Sequence, residues 1–238
     1  MRFNKICVNT DYLKITALVL MTADHVAKIF PNMFCANILQ ILGSMSFPIF
    51  SFILMFHLQR KQIYKKYLLR LGSFAFLTFL TMKLLRLSGV DISGVPFNIL
   101  FMFFVCVLAL ALKKTVEEKI KNRFVKNVAI CSVYILCAAL VSRLSLFAFV
   151  YVILIYFFFE KKSVINIIAL SVFAYLTNLG GIGGIVAVAV SGLLINVNYD
   201  KKYQRIIKKW YIFYLYYPLH LAVLLLIGTS VKLLVLRG

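Results

Sequence analysis

Seven acidic residues are spread along 238 positions, and Asp24 alone falls inside a long apolar run; the other six lie at run ends or between runs. His25 follows it directly. Imidazole titrates near neutral pH and can act as a general base where its surroundings keep it neutral. Adjacent residues on an α-helix point about 100° apart, so Asp24 and His25 do not readily bond each other. Each needs a partner from another helix or from water. A partner that only fixes packing makes the pair structural, whereas a ligand makes it an acid–base site. Lys14 lies eleven residues before His25, roughly 16 Å along a helix at 1.5 Å rise per residue. A cation at the mouth and a base in the interior suit a long ligand with an anionic head and a reactive tail. An acyl-CoA has that shape. The spacing alone is a weak signal, and an isolated lysine at a helix end is more readily read as a snorkelling anchor.

His220 is the second histidine inside an apolar run, in Tyr216-Tyr217-Pro218-Leu219-His220-Leu221. Proline removes a helical N–H and can kink the helix, so tyrosines and a histidine around it make a polar pocket or an interfacial aromatic cluster. Ser44-Met45-Ser46-Phe47-Pro48 is another proline-broken stretch with small polar residues, read as a packing kink at least as readily as a site. Asn98 follows Pro96 and is placed to cap a helix. Asn178-Leu179-Gly180-Gly181-Ile182-Gly183-Gly184 is glycine-rich but lacks the Lys-Ser/Thr and the flanking strand of a phosphate loop. It reads as a tight reversal, with Asn178 contributing polarity. His57 is read as interfacial and without a role.

The elements that must hold these residues follow from composition. Hydrophobic residues make up 63% of the chain, charged residues 14%, and the mean hydropathy is +0.96. A soluble domain of this size cannot hide so much apolar surface. The chain is therefore expected to be all-α, a polytopic transmembrane helical bundle forming a single domain over 1–238. Spans are expected near 12–30, 38–58, 68–85, 97–112, 127–142, 145–159, 164–178, 182–195 and 211–227, about nine, within a range of eight to ten. The first run is not followed by a small-residue cleavage site and is expected to be retained.

The 27 Lys+Arg give a net charge of +20. Their positions argue for membrane topology rather than nucleic-acid binding. With the N-terminus in the cytoplasm and strict alternation, twenty-one of them fall inside and six outside. The inner group holds Arg60, Lys61, Lys65, Lys66, Arg70 and the clusters at 113–126 and 201–209. The five cysteines follow no metal or CxxC spacing, and three well-separated histidines with one buried carboxylate make no metal site.

Several segments together resemble the TraX family of membrane proteins. They are Leu13-Lys14-Ile15-Thr16-Ala17-Leu18 with Met21 and Asp24-His25, and Phe47-Pro48-Ile49-Phe50-Ser51-Phe52 with the basic Lys65 to Leu71 stretch. Phe97-Asn98-Ile99-Leu100-Phe101 and Phe213 to Leu221 also fit, in the family's order. That family is named for a pilin N-acetylating protein and looks like a compact branch of the acyltransferase-3 superfamily, whose members carry a basic residue and a His separated by ten residues on an early helix, as Lys14 and His25 are here. The resemblance implies acetyl-CoA or another acyl-CoA as donor, His25 as the reactive base and Lys14 near the CoA phosphates. Asp24, Asn98, Tyr217 and His220 match family positions. Gly43-Ser44 stands where many relatives have Gly-Arg, and Asn178-Leu179-Gly180 where they often have Asp-Tyr-Gly. Losing that Arg shifts the expected donor contacts onto Lys14, Arg70 and the 60–70 cluster.

The resulting expectation is an acyltransferase of the cytoplasmic membrane. His25, Asp24 and His220 are its candidate catalytic residues, Lys14 and Arg70 contact acyl-CoA, and Ser44, Asn98, Asn178 and Tyr217 line the substrate pocket. The acceptor is a peptide, lipid or glycan, and membrane lipids are the surroundings. A solute or proton-coupled transporter is the rival reading, since an intramembrane Asp-His pair and broken helices suit that too. A membrane scaffold without chemistry is a third.

Overall fold

Asparagine or serine begins four of the helices, and in each case the side-chain oxygen accepts from a first-turn N–H that has no intrahelical partner. Asn9 accepts from Asp11, Asn98 from Phe101, Asn122 from Phe124 and Val125, and Ser163 from Asn166, all at 2.9–3.3 Å. A computed structural model describes residues 8–90, 98–178, 180–197, 209 and 211–235. Among the described residues the elements are all helices: α1 (Thr10–Ile29), α2 (Ala36–Gly43), α3 (Ser46–Lys61), α4 (Tyr64–Leu87), α5 (Ile99–Lys119), α6 (Arg123–Glu160), α7 (Val164–Thr177), α8 (Gly181–Ile195) and α9 (Tyr211–Val235). Arg2, Lys5, Asp91 and the 201–208 part of the last basic cluster lie outside the described residues.

Three breaks shape the bundle. Pro48 sits in the first turn of α3 and cannot donate to the Ser44 carbonyl four residues back. The expected second span therefore divides at Ser44–Met45 into α2 and α3. Ser145, with extended backbone (φ −175°, ψ 106°), interrupts α6. Its Oγ accepts from Ala148 N at 3.1 Å, capping a new helical limb. The rings of Tyr134 and Phe157 lie 6.4 Å apart, although 23 residues of straight helix would span about 35 Å. The chain therefore folds back at Ser145, and α6 is two antiparallel limbs, as the expected spans 127–142 and 145–159 require. Gly180 (φ +79°) starts α8 three residues after α7 ends. Its left-handed φ is one that glycine adopts without steric cost.

Five helical stretches among the described residues are long and apolar enough to cross a bilayer: 36–61, 64–87, 99–119, 123–141 and 211–232. The second limb of α6, α7 and α8 are apolar but shorter, at 14 to 16 residues, or about 21–24 Å each. The helix α1 is 20 residues long but carries Asp11, Lys14, Asp24 and Lys28. Broad apolar faces are left uncovered by protein on α4 (Leu69, Phe76, Phe79, Leu84) and on the first limb of α6 (Val128, Ile135, Leu136, Leu140). Lipid is the solvent that suits them. Deep hydroxyls are satisfied inside their own helices: Ser51, Thr78 and Ser191 each donate to the carbonyl four residues back at 2.7–2.8 Å.

The core runs through Phe52, Met55 and Leu58 of α3, Val105 and Leu110 of α5, Tyr151 and Phe158 of α6, Leu170 of α7 and Leu221 of α9. The helix α1 packs on α2, α3 and α9, and α9 packs on α4. At one end of the bundle cations lie over aromatic faces: Arg60 on Phe56, Lys113 on Phe157, Lys114 on Tyr64 and Lys162 on Phe158, at 5.6–5.9 Å. Lys114 also donates to Gln62 Oε1 at 2.7 Å. The stretches beginning near 60, 113 and 161 therefore meet at one end. The breaks at Ser44 and Ser145, the Asn98 cap and the end of α7 gather at the other.

Candidate active site

At the end opposite those cations a cavity of about 250 Å³ opens between six segments. The α1 helix contributes Asp24, His25 and Lys28; the α2–α3 break contributes Ser44 and Ser46; the α5 start contributes Asn98. The fold-back of α6 contributes Ser145, the α7 end Thr177 and Asn178, and α9 Tyr217. Each break in helical hydrogen bonding thus delivers a small polar side chain to one place, between apolar walls that include Met21, Phe47 and Met102.

The side of the cavity nearest α9 is aromatic. His25 is 3% exposed and His220 8%. His25 Nδ1 and His220 Nε2 are 2.8 Å apart, and the rings lie 4.9 Å apart at 32°. His220 Nδ1 is 2.8 Å from the Tyr216 carbonyl. The Tyr216 ring stacks on His220 at 4.9 Å and 12°. Thr22 donates to the Leu18 carbonyl at 2.9 Å, so the Tyr216 hydroxyl, 2.7 Å away, donates to Thr22. Tyr217 meets both imidazoles edge-on, at 6.2 and 5.6 Å, and its hydroxyl accepts from Ile99 N at 3.3 Å.

Asp24 takes its partner from its own helix: Lys28, one turn on, forms an ion pair with it. Residues four apart face each other, which is how Asp24 is compensated without another helix. Above it, Gly43 allows α2 to rest on α1. A Cβ at residue 43 would lie 2.4 Å from Asp24 Cβ and 2.8 Å from its Cα. Ser44 donates to the Ile41 carbonyl at 2.6 Å. Asn98, besides capping α5, donates from Nδ2 to the Ala75 carbonyl at 2.8 Å and so ties α5 to α4. Asn178 contacts Thr177 Oγ1 at 3.2 Å.

Of the residues singled out from the sequence, His25, Asp24, Ser44, Asn98, Asn178 and Tyr217 line this cavity, with His220 directly behind His25. Lys14 and Arg70 do not line it. Lys14 is near the other end of α1, bonded to Asp11 at 2.8 Å and lying 5.1 Å over the Phe213 ring. Arg70 is one turn before Phe74, which stacks on Tyr214 at 5.4 Å. Lys14 and Arg70 therefore approach the start of α9 from α1 and α4. Sequence reasoning gave no site role to Lys28 or Thr22, and named Tyr216 only among the tyrosines around Pro218. The Asp24–Lys28 and Asp11–Lys14 pairs were legible from their spacing alone, whereas the Thr22–Tyr216 bond joins residues 194 apart. Among the described residues no group of three or more His, Cys, Asp or Glu sits where it could hold a metal ion.

An imidazole backed by a hydrogen bond, at the wall of a mainly apolar cavity with several polar groups, can when neutral take a proton from a nucleophile held there. Compared with known proteins, residues 9–228 match a family model described as TraX protein. No curated protein and no solved structure matches the chain.

Proposed function

The chain belongs to the TraX family, and on that premise we propose that it is a membrane-embedded acyltransferase. It uses acetyl-CoA or another acyl-CoA and acylates an amine or hydroxyl on a peptide, lipid or glycan. The TraX match associates the chain with membrane proteins of the pilin-acetylation type. The wider kinship, with the acyltransferase-3 superfamily, belongs to the same proposal. The observation that carries the reading is the His25–His220 pair, 2.8 Å apart at the wall of the cavity.

His25 withdraws the proton of the acceptor as its oxygen or nitrogen attacks the thioester carbon. The new C–O or C–N bond forms, the C–S bond breaks, and CoA leaves as a thiolate that recovers the proton from His25. Asp24, neutralised by Lys28, shapes the field at the cavity, and Ser44, Asn98 and Asn178 offer donors and acceptors to the acceptor molecule or the developing oxyanion. Lys14 and Arg70 receive the CoA phosphates at the other end of α1. That end is the cytoplasmic one, and the membrane is the cell's cytoplasmic membrane. The 16 Å or so between Lys14 and His25 along α1 suits the length of an extended pantetheine arm.

The test is purified protein in lipid nanodiscs, supplied with labelled acetyl-CoA and, in separate reactions, an amino-terminal peptide, a lipid extract or an oligosaccharide. Free CoA should appear in step with label in one acceptor. No acceptor-dependent CoA release from any acyl-CoA tried would refute the assignment.

A further inference from the structure

We propose that His220 is a positioning residue that fixes the tautomer of His25, so that Nε2 of His25, and not Nδ1, is the nitrogen that takes the acceptor's proton. This deepens the acyltransferase reading and rests on it for its kinetic part, but not for its spectroscopic part.

The assignment follows atom by atom from an acceptor that cannot donate. A backbone carbonyl only accepts, so the 2.8 Å contact between the Tyr216 carbonyl and His220 Nδ1 places a hydrogen on Nδ1. A neutral imidazole carries one N–H, so Nε2 of His220 is then a lone pair. That lone pair faces His25 Nδ1 at 2.8 Å and must accept from it. His25 is thereby held as the Nδ1–H tautomer with its lone pair on Nε2. His25 lines the cavity and His220 does not, so that lone pair belongs to the ring that reaches the acceptor. The reverse arrangement would require a doubly protonated His220 at 8% exposure. Asp24, the carboxylate lining the cavity, is already paired with Lys28, and an uncompensated buried cation is costly.

The relay is held rigidly. The Tyr216 ring stacks on His220, and its hydroxyl is anchored to Thr22, one turn from His25 on α1. The same bond strengthens when it matters. In the resting site both rings are neutral. Once His25 has taken a proton at Nε2, its Nδ1–H is charge-assisted and bonds His220 more strongly. An interaction stronger in the transition state than in the ground state appears in kcat and not in KM.

Three variants and one spectrum test this. His220→Leu keeps bulk and removes the acceptor. Its kcat should fall about 10- to 100-fold, the range a charge-assisted hydrogen bond commands, while KM for acyl-CoA stays within about twofold. His220→Gln returns an amide oxygen near the place of Nε2 and should recover kcat to within about fivefold of the parent. His57→Ala should leave both constants unchanged and simplifies the spectrum to two rings. With ¹⁵N-labelled histidine in that background, His25 should show a protonated Nδ1 and an unprotonated Nε2. The His220→Leu protein should lose that preference. A parent spectrum with His25 protonated at Nε2 would overturn the proposal, and so would a folded His220→Leu enzyme with full kcat. If the spectrum is as expected but no acyl transfer is found, the tautomer assignment stands and the acyltransferase reading falls.

Discussion

Lys14 is the residue whose role depends most on what it does in the absence of ligand. It is tied to Asp11 at 2.8 Å and lies over Phe213, so a phosphate must compete with an existing carboxylate. Lys14→Ala should raise KM for acyl-CoA several-fold with kcat at saturation nearly unchanged, because a phosphate contact made equally in ground and transition states is uniform binding. Steady-state kinetics over a range of acyl-CoA concentrations separates the two constants; a collapsed kcat with unchanged KM would place Lys14 elsewhere in the reaction. Asp11→Asn should act oppositely and lower KM, since it releases the lysine. At this scale the sequence was legible in part. That Asp24 and His25 point apart and need separate partners followed from helix geometry. That the two partners are Lys28 and His220 divides along the same line: the first is local and readable by spacing, the second joins α1 to α9 across 195 residues and required the fold.

The elements are legible where the backbone leaves an obligation to be met. Asn and Ser at helix starts, proline at residue 48 and serine at residue 145 each mark a place where a helical hydrogen bond is missing or replaced, and the breaks appear at those places. How helices cross is set by surface shape, which single residues reveal poorly. Gly43 is the exception that can be tested. A methyl group at that position meets Asp24 backbone and Cβ at 2.4–2.8 Å, not a flexible side-chain tip. Gly43→Ala should therefore cost about 1–3 kcal/mol as an overpacking change and shift Ser44 in the cavity wall. A thermal melt in detergent should show a lower midpoint. Gly192→Ala is the control, with nothing within 4 Å of the added methyl; inside a helix it should be neutral or stabilise by about 0.5–1 kcal/mol. Equal midpoints for the two variants would mean that α1 and α2 are not in the described contact.

Over the whole molecule, membrane residence was the most legible property, since 63% apolar composition leaves no alternative solvent. The count of spans was the least. Stretches of 14 to 16 residues, such as α7 and α8, are apolar enough for lipid but short of a full crossing, so charge alternation and helix length give different weight to them. The structure does bring the stretches around 60, 113 and 161 to one end. In a background without native cysteines, single cysteines at 61, 119 and 162 should label from the same, cytoplasmic side, and one at 88, past the end of α4, from the other. Labelling of 61 and 119 from opposite faces would break the bundle as described.

The measurement that bears most directly on the account is acyl transfer by His25→Gln, purified and reconstituted beside the parent protein. Glutamine keeps similar bulk and hydrogen-bonding capacity but cannot take a proton at neutral pH. General-base catalysis contributes roughly 10²- to 10⁴-fold, so kcat should fall by that factor while the thermal midpoint and KM for acyl-CoA stay near those of the parent. A His25→Gln protein that turns over at close to the parent rate would contradict the claim that His25 is the base.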